Sequence, residues 1–429
     1  MNVLFVEKKL RTDKLGILYL SAMLKQHGHN TYLIQMGEED IAEIMESFKP
    51  DFVCYSVLSG EQAEIRTINS ILKRTYNFKS IFGGAHYTFF PEEKEADFIV
   101  IGAGENIIND IVEGKVTNKV IKGNIPDLSS LPYPDRSILY RYPEFGEAKM
   151  KRFIARRDCQ YRCTYCFNHA YHKLYENEKS NFYQVISPEK TVQEILNVRN
   201  RWSLEMVYFN DDNFIFDKRW TTDFCQLYKE KIDLPFCGSI RANNVTGEIL
   251  DVLKIANCYF MNIALESAVP ETQKLLNRGY ITNEQVKYAV RTAEEKGIKI
   301  RVQNMIGLPV DDPLQDALET LKFNYELNPT DSWVAIFQPY KGTEIYKLCL
   351  EKGLLDDESD GSYFYESSPL RIEDIEQINT LSILWSYFVK YKIDMDLVRI
   401  LIKQPLSKNV KEELQAHRWA QTAKKVYKT

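Results

Sequence analysis

Nowhere in the 429 residues do about 18 apolar residues run together, so the sequence offers no helix able to span a bilayer. It also lacks the charged region, apolar run and small-residue cleavage site of a secretory signal, because Met1 is followed at once by the strand-like Asn2-Val-Leu-Phe-Val6. A cytoplasmic location is therefore expected, where thiols stay reduced. Positive charge is not in excess: Lys+Arg 55 against Asp+Glu 60 gives a formal net charge of -5. That excludes a global basic field, and no nucleic-acid partner is expected. The run Val6-Glu-Lys-Lys-Leu-Arg-Thr-Asp-Lys-Leu-Gly16 after the first strand holds a single glycine, which disfavours an ordinary dinucleotide site. Internal repeats, low-complexity tracts and charged tails are absent as well.

What is there is globular. With 44% hydrophobic and 27% charged residues, the chain can bury a core and is long enough for two or three domains. Residues 1–125 alternate strand-like runs (3–6, 31–34, 51–57, 79–82, 98–101) with helical patterns at 15–25 and 61–76, which predicts a doubly wound, Rossmann-like α/β domain on a parallel sheet. Residues 126–149 follow neither period and carry Pro126, Pro132 and Pro134, so they read as a linker. The β/α rhythm resumes over 150–346 with strands at 152–155, 206–209, 235–240, 259–265, 299–306 and 333–338. These six units suit a partial, TIM-like parallel barrel. Residues 347–429 read as a mainly helical region.

Of eight cysteines, Cys54, Cys225, Cys237, Cys258 and Cys349 stand singly in apolar or helical surroundings and read as buried thiols. The other three share one loop, Ala155-Arg-Arg-Asp-Cys159-Gln-Tyr-Arg-Cys163-Thr-Tyr-Cys166-Phe-Asn-His169, after the first barrel strand. Three thiolates would hold a four-iron cluster and leave one iron open for chemistry. Two plainer readings stand beside this one: a structural zinc site with His169 as fourth ligand, and three free structural cysteines.

The spacing Cys159-x-x-x-Cys163-x-Tyr165-Cys166 resembles the signature of the radical S-adenosylmethionine (SAM) superfamily. So do the strand-end segments Phe209-Asn-Asp-Asp-Asn-Phe214, Ser239-Ile-Arg-Ala-Asn243, Ala264-Leu-Glu-Ser267, Met305-Ile-Gly-Leu-Pro309 and Pro339-Tyr-Lys-Gly-Thr343. The resemblance favours the cluster over zinc. It implies a 4Fe-4S cluster held by the three cysteines, with SAM on the open iron, and an electron donor such as a flavodoxin or ferredoxin. Tyr165 and Phe167 would lie near the adenine, and Gly307 would give it a backbone contact. Asp211 and Asp212 would meet the amino group, Glu266 and Ser267 the ribose, and Ser239 or Arg241 the same cosubstrate. Plainer roles are a helix cap for Asp211 or Asn213 and an ion pair between Glu266 and Arg241.

In the first domain, Ser56-Val-Leu-Ser59-Gly60, Phe82-Gly83-Gly84-Ala-His86-Tyr-Thr88 and Gly102-Ala-Gly104-Glu105 all fall at strand carboxyl ends. Glycines there let backbone approach a large ligand, while the hydroxyls offer uncharged donors and acceptors. With Leu131-Pro-Tyr-Pro-Asp135, these segments look like the cobalamin-binding domain that precedes the radical domain in one large subfamily. No Asp-x-His-x-x-Gly is present, which implies cobalamin bound without a histidine beneath the cobalt. A degenerate domain that binds no cobalamin is the plainer reading.

The resemblance implies a cobalamin-dependent radical SAM methyltransferase: a 5'-deoxyadenosyl radical activates a substrate carbon and methylcobalamin methylates it. Alternatives are cyclisation or rearrangement with the same parts, or a zinc-stabilised corrinoid carrier or sensor. Residues 347–429 would cap the barrel. The substrate is left open among small molecules, lipid precursors and peptide side chains. Tyr363, Phe364, Tyr365, Trp385, Tyr387 and Phe388 would serve either as pocket wall or as core, while Tyr340 and Lys341 end the last barrel strand.

Overall fold

A computed structural model describes residues 1–10, 12–176, 184–355 and 368–422. Strands β1 (Asn2–Glu7), β2 (Asn30–Gln35), β3 (Phe52–Ser56), β4 (Lys79–Gly83), β5 (Phe98–Ile101) and β6 (Val120–Lys122) form one sheet in the order β2-β1-β3-β4-β5-β6. Every pairing in it is parallel. Val3, Leu4, Phe5 and Val6 are all buried, as expected of a parallel strand covered on both faces. The order reverses between β1 and β3. That switch point opens a crevice beyond the strand carboxyl ends, where open α/β sheets receive ligands.

Glu7 closes β1 at the edge of this crevice. It is buried, pairs with Lys14 at 2.8 Å and leaves Oε1 without a partner among the described residues. Desolvation raises its carboxyl from 4.5 to about 7, with Lys14 opposing the shift. An acid whose folded pKa is raised favours the fold when protonated, and that stability is lost as pH rises from about 4.5 through about 7. Glu7→Gln is therefore expected to gain stability relative to the native protein across that window. Urea midpoints of the two proteins that keep a constant separation with pH would show that Glu7 titrates normally.

The second sheet holds β7 (Met150–Phe153), β10 (Met206–Phe209), β11 (Phe236–Ile240), β12 (Cys258–Glu266), β13 (Lys299–Ile306) and β14 (Asp331–Ile336), with the short ribbon β8 (Arg156–Arg157) and β9 (Gln184–Val185) beside it. Its order is sequential and every pairing is parallel, so β7 and β14 are the two edges of an open barrel. β7 ends before Ala155 because the amides of Ala155 and Arg156 turn to donate to the Asp211 carboxylate. Helix Pro188–Arg199 starts where its cap residues dictate: the Ser187 side chain accepts from the Lys190 amide, and Pro188 occupies the first position.

The segment 126–149, read as a linker, is packed. It carries short helices Ser137–Tyr140 and Pro143–Gly146, and Leu128, Leu131, Ile138, Leu139, Tyr140 and Tyr142 join one continuous core with residues of both sheets. Its prolines break the periodicity without exposing the chain. Near the carboxyl end, helix Ile375–Tyr391 lies against β14 and helix Pro313–Leu327. Trp385 and Phe388 are buried in that core, and the Trp385 indole donates to Ser332 at 2.8 Å. Tyr387 bonds His417 at 2.6 Å. Tyr363, Phe364 and Tyr365 lie outside the described residues. Among the described residues no helix is long and apolar enough to cross a membrane.

Candidate active site

The cysteine loop leaves β8 through Asp158, a non-glycine residue at φ 82°. Such a conformation persists only when its surroundings fix it. Here the Asp158 carboxylate accepts from the Cys159 amide at 2.6 Å and pairs with the His172 ring. From there the loop is tied to the segment after β12. Thr164 N and Oγ1 donate to Leu276 O and Leu275 O at 3.2 and 2.9 Å, and Asn277 Nδ2 donates to Arg162 O at 2.7 Å.

Cys159, Cys163 and Cys166 line a cavity of about 350 Å³ at the carboxyl ends of the barrel strands, with Tyr165, Asp211, Asp212, Ser239, Arg241 and Glu266 also in its wall. Burial pushes the Cys159 thiol up and the Cys166 thiol up to about 12. A thiol raised in this way becomes a thiolate ligand when a bound cation stabilises its anion. His169 points elsewhere, its Nε2 3.8 Å from Glu344. Among the described residues no three His, Cys, Asp or Glu side chains converge on one ion position.

Glu266 sits at φ 67°, where the pairing of β12 with β13 shifts register. Such a bulge re-aims a side chain, and the Glu266 carboxylate faces the cavity and accepts from Tyr165 Oη at 2.8 Å. Arg241 lies over the Tyr161 ring at 3.6 Å and donates to Tyr280 Oη; the two tyrosine rings stack at 5.4 Å. Asn262 Oδ1 and the Nε atoms of Arg241 and Arg278 are buried without partners among the described residues. A wall with unsatisfied acceptors and donors suits a zwitterionic ligand, and three cysteines on one loop suit a cluster.

Three other proposed contacts, Asp211 in the cavity wall and Ser267 and Gly307 beside it, are engaged by protein groups. Asp211 is buried and engaged by the Ala155 and Arg156 amides, and its carboxyl is pushed up to about 7 by desolvation. It caps no helix; Asp217 does that for the helix that follows. Ser267 Oγ turns into the core to donate to Asp316 at 3.0 Å. Gly307, at φ 72°, faces Ile336, Ile372 and Ile378.

A second cavity, of about 470 Å³, lies between the two sheets. Its wall includes Lys14 to Ile17, Ser56 and Ala103 from the first sheet's loops, and Arg157, Phe167 and Tyr171 from the barrel side. Asn168, Asn210 and Asp212 wall both this cavity and that of the cysteines. Ser59 and His86, 3.1 Å apart, face a third space of about 230 Å³ shared with Tyr340 and Lys341.

Most remaining residues of the first-domain segments meet protein. A Cβ on Gly84 would lie 2.6 Å from the Val57 amide, and one on Gly102 would overlap the Tyr175 hydroxyl. Thr88 Oγ1 bridges Gly84 O and Gly102 N. Glu105 pairs with Arg157 across the domain boundary. Gly104 abuts Leu20, Gly83 faces Val100 at ordinary contact distance, and Gly60 takes φ 94°. The crevice wall thus combines Ser56 and the loop residues Leu15 to Ile17 of the first domain with the Phe167 and Tyr171 rings and polar or charged side chains such as Lys14, Arg157 and Asn168, a mixture that suits a flat corrin edged with polar amide groups.

Comparison with known proteins agrees with this architecture. Residues 1–112 match the B12 binding domain family and residues 154–323 the radical SAM superfamily. The chain is 25% identical over 374 residues to an uncharacterized methyltransferase of Pyrococcus horikoshii, covering 80% of this chain and 79% of that one. It is 20% identical over 435 residues to the cytidylyl-2-hydroxyethylphosphonate methyltransferase of Streptomyces wedmorensis, covering 81% and 79%. Its fold is similar to that of TsrM from Kitasatospora setae, a radical SAM methyltransferase solved with cobalamin and a [4Fe-4S] cluster (TM-score 0.66, 18% identity, 86% of this chain and 83% of that one). It is also similar to OxsB, a cobalamin-dependent SAM radical enzyme (TM-score 0.72, 15% identity, 99% and 71%). The chain joins a B12 binding domain to a radical SAM domain and belongs with the cobalamin-binding enzymes of the radical SAM superfamily.

Proposed function

We propose that the protein is a cobalamin-dependent radical SAM methyltransferase acting on carbon, supplied with electrons by a flavodoxin- or ferredoxin-class donor in the cytoplasm. One observation carries the reading: the cysteine cavity and the crevice of the B12 binding domain share a wall of Asn168, Asn210 and Asp212. When bound, the cluster with SAM supplies hydrogen-atom abstraction and cobalamin supplies a methyl group. Residues of this chain do the positioning. Cys159, Cys163 and Cys166 would hold the cluster iron, and Glu266, Arg241 and Asn262 would meet the polar groups of SAM. The Asn168 amide donates to Asp212 at 2.8 Å and fixes the boundary between the two spaces. Tyr175 Oη, accepting from Ala103 N at 3.2 Å and donating to Gly123 O at 2.7 Å, fastens helix Phe167–Leu174 to the loops after β5 and β6. A shared, walled space keeps two reactive centres at working distance and limits water.

Product formed with methyl-deuterated SAM tests the reaction type. A product heavier by a labelled methyl group is expected. An unlabelled product formed together with 5'-deoxyadenosine would point to rearrangement instead.

A further inference from the structure

Arg278 lies outside every motif described above. It follows helix Pro270–Leu275, in the segment that Thr164 and Asn277 tie to the cysteine loop, and it is 2% exposed. Nη1 donates toward Cys163 Sγ at 3.9 Å, Nη2 donates to Ala264 O, and Nε has no partner among the described residues. The cavity's other arginine, Arg241, lies over the Tyr161 ring and donates to Tyr280 Oη instead. We propose that Arg278 sets the reduction potential of the cluster by holding a fixed positive charge and an N–H donor against the Cys163 sulfur. This rests on the reading that the three cysteines hold a cluster.

The physical case is direct. An Arg is permanently protonated, and its planar fork presents donors in fixed directions. A cluster bound by three thiolates is anionic when oxidised and gains one further negative charge on one-electron reduction. A buried cation favours the reduced form more than the oxidised one, and hydrogen bonds to cluster sulfurs act in the same sense. Low local dielectric enlarges both effects. The contact is also well fixed. Arg278 N donates to Gln273 O at 2.7 Å, and the bonds from Thr164 and Asn277 flank the Cys163 contact on either side. Arg278 is therefore a positioning and tuning residue that acts through the cluster.

The test is a redox titration of anaerobically reconstituted full-length protein, followed by electron paramagnetic resonance, for the native protein, Arg278→Gln and Arg278→Lys. The Gln variant is expected to hold native iron and sulfide and to be harder to reduce by about tenfold in the equilibrium, ~59 mV more negative for one electron. Lys keeps a charge but loses the fork, and its potential is expected to fall between the two. A Gln variant with native iron content and native potential overturns the proposal. Should Gln fail to retain iron, the Lys variant decides: a lowered potential supports the proposal, and an unchanged one overturns it. Native protein that takes up no iron and sulfide would instead overturn the cluster reading itself, which the iron assay reports separately.

Discussion

Cys159→Ala, Cys163→Ala and Cys166→Ala are each expected to reduce 5'-deoxyadenosine formation from SAM to the level of a protein-free control, a loss on the order of a thousandfold or more. The three thiols share one cavity and one loop. If they hold the cluster as proposed, removing any of them takes away a protein ligand, and a cluster left with two thiolates is not retained in a reactive state. Cys225→Ala and Cys258→Ala are the matched controls. Both thiols are buried with raised pKa values caused by desolvation, and both variants should keep native iron. Normal deoxyadenosine formation by any of the first three variants would remove the cluster from the account, and loss of iron by the two controls would make the effect one of folding.

Arg136→Met is expected to cost about 3–5 kcal/mol of stability, because it leaves two carboxylates buried without their cation. Arg136 is 2% exposed and bonds Asp13 at 3.3 Å, Glu194 at 2.7 Å, the Arg152 carbonyl at 2.8 Å and the Tyr140 hydroxyl at 2.6 Å. Asp13 belongs to the loop after β1, Glu194 to a barrel helix, and Arg136 to the segment between the sheets. One guanidinium therefore joins three parts of the chain. Asp13→Asn and Glu194→Gln added to Arg136→Met should recover part of the loss, since the uncompensated charges are then gone. Denaturant unfolding monitored by tryptophan fluorescence measures all of these. A single Arg136→Met variant with native stability would show that the network contributes nothing.

Much of this architecture is legible in the sequence because it depends on local rules. Alternating apolar runs mark β1 through β5, and Ser187 with Pro188 marks a helix start. Three cysteines within eight residues mark a site whatever lies around them. What escapes is set by contacts between distant residues. Arg278 gains its role because the segment after β12 folds back over the cysteine loop, 115 residues away. Glu105, read as a ligand contact, is paired with Arg157 from the barrel. Ser267 follows Glu266, yet the bulge and positive φ at Glu266 send the two side chains to different places, one into the cavity and one to Asp316. The proline-rich segment 126–149 looks open because it lacks a period, but its apolar residues complete a core shared by both sheets.

Two adjoining cavities with one shared wall are expected to serve the two cofactors, and methyl-labelled SAM tests this without knowledge of the substrate. Protein reconstituted anaerobically with iron, sulfide and cobalamin, then given a strong reductant and labelled SAM, is predicted to yield label on the bound cobalamin together with 5'-deoxyadenosine. Protein that holds both groups and yields neither labelled cobalamin nor deoxyadenosine would contradict it.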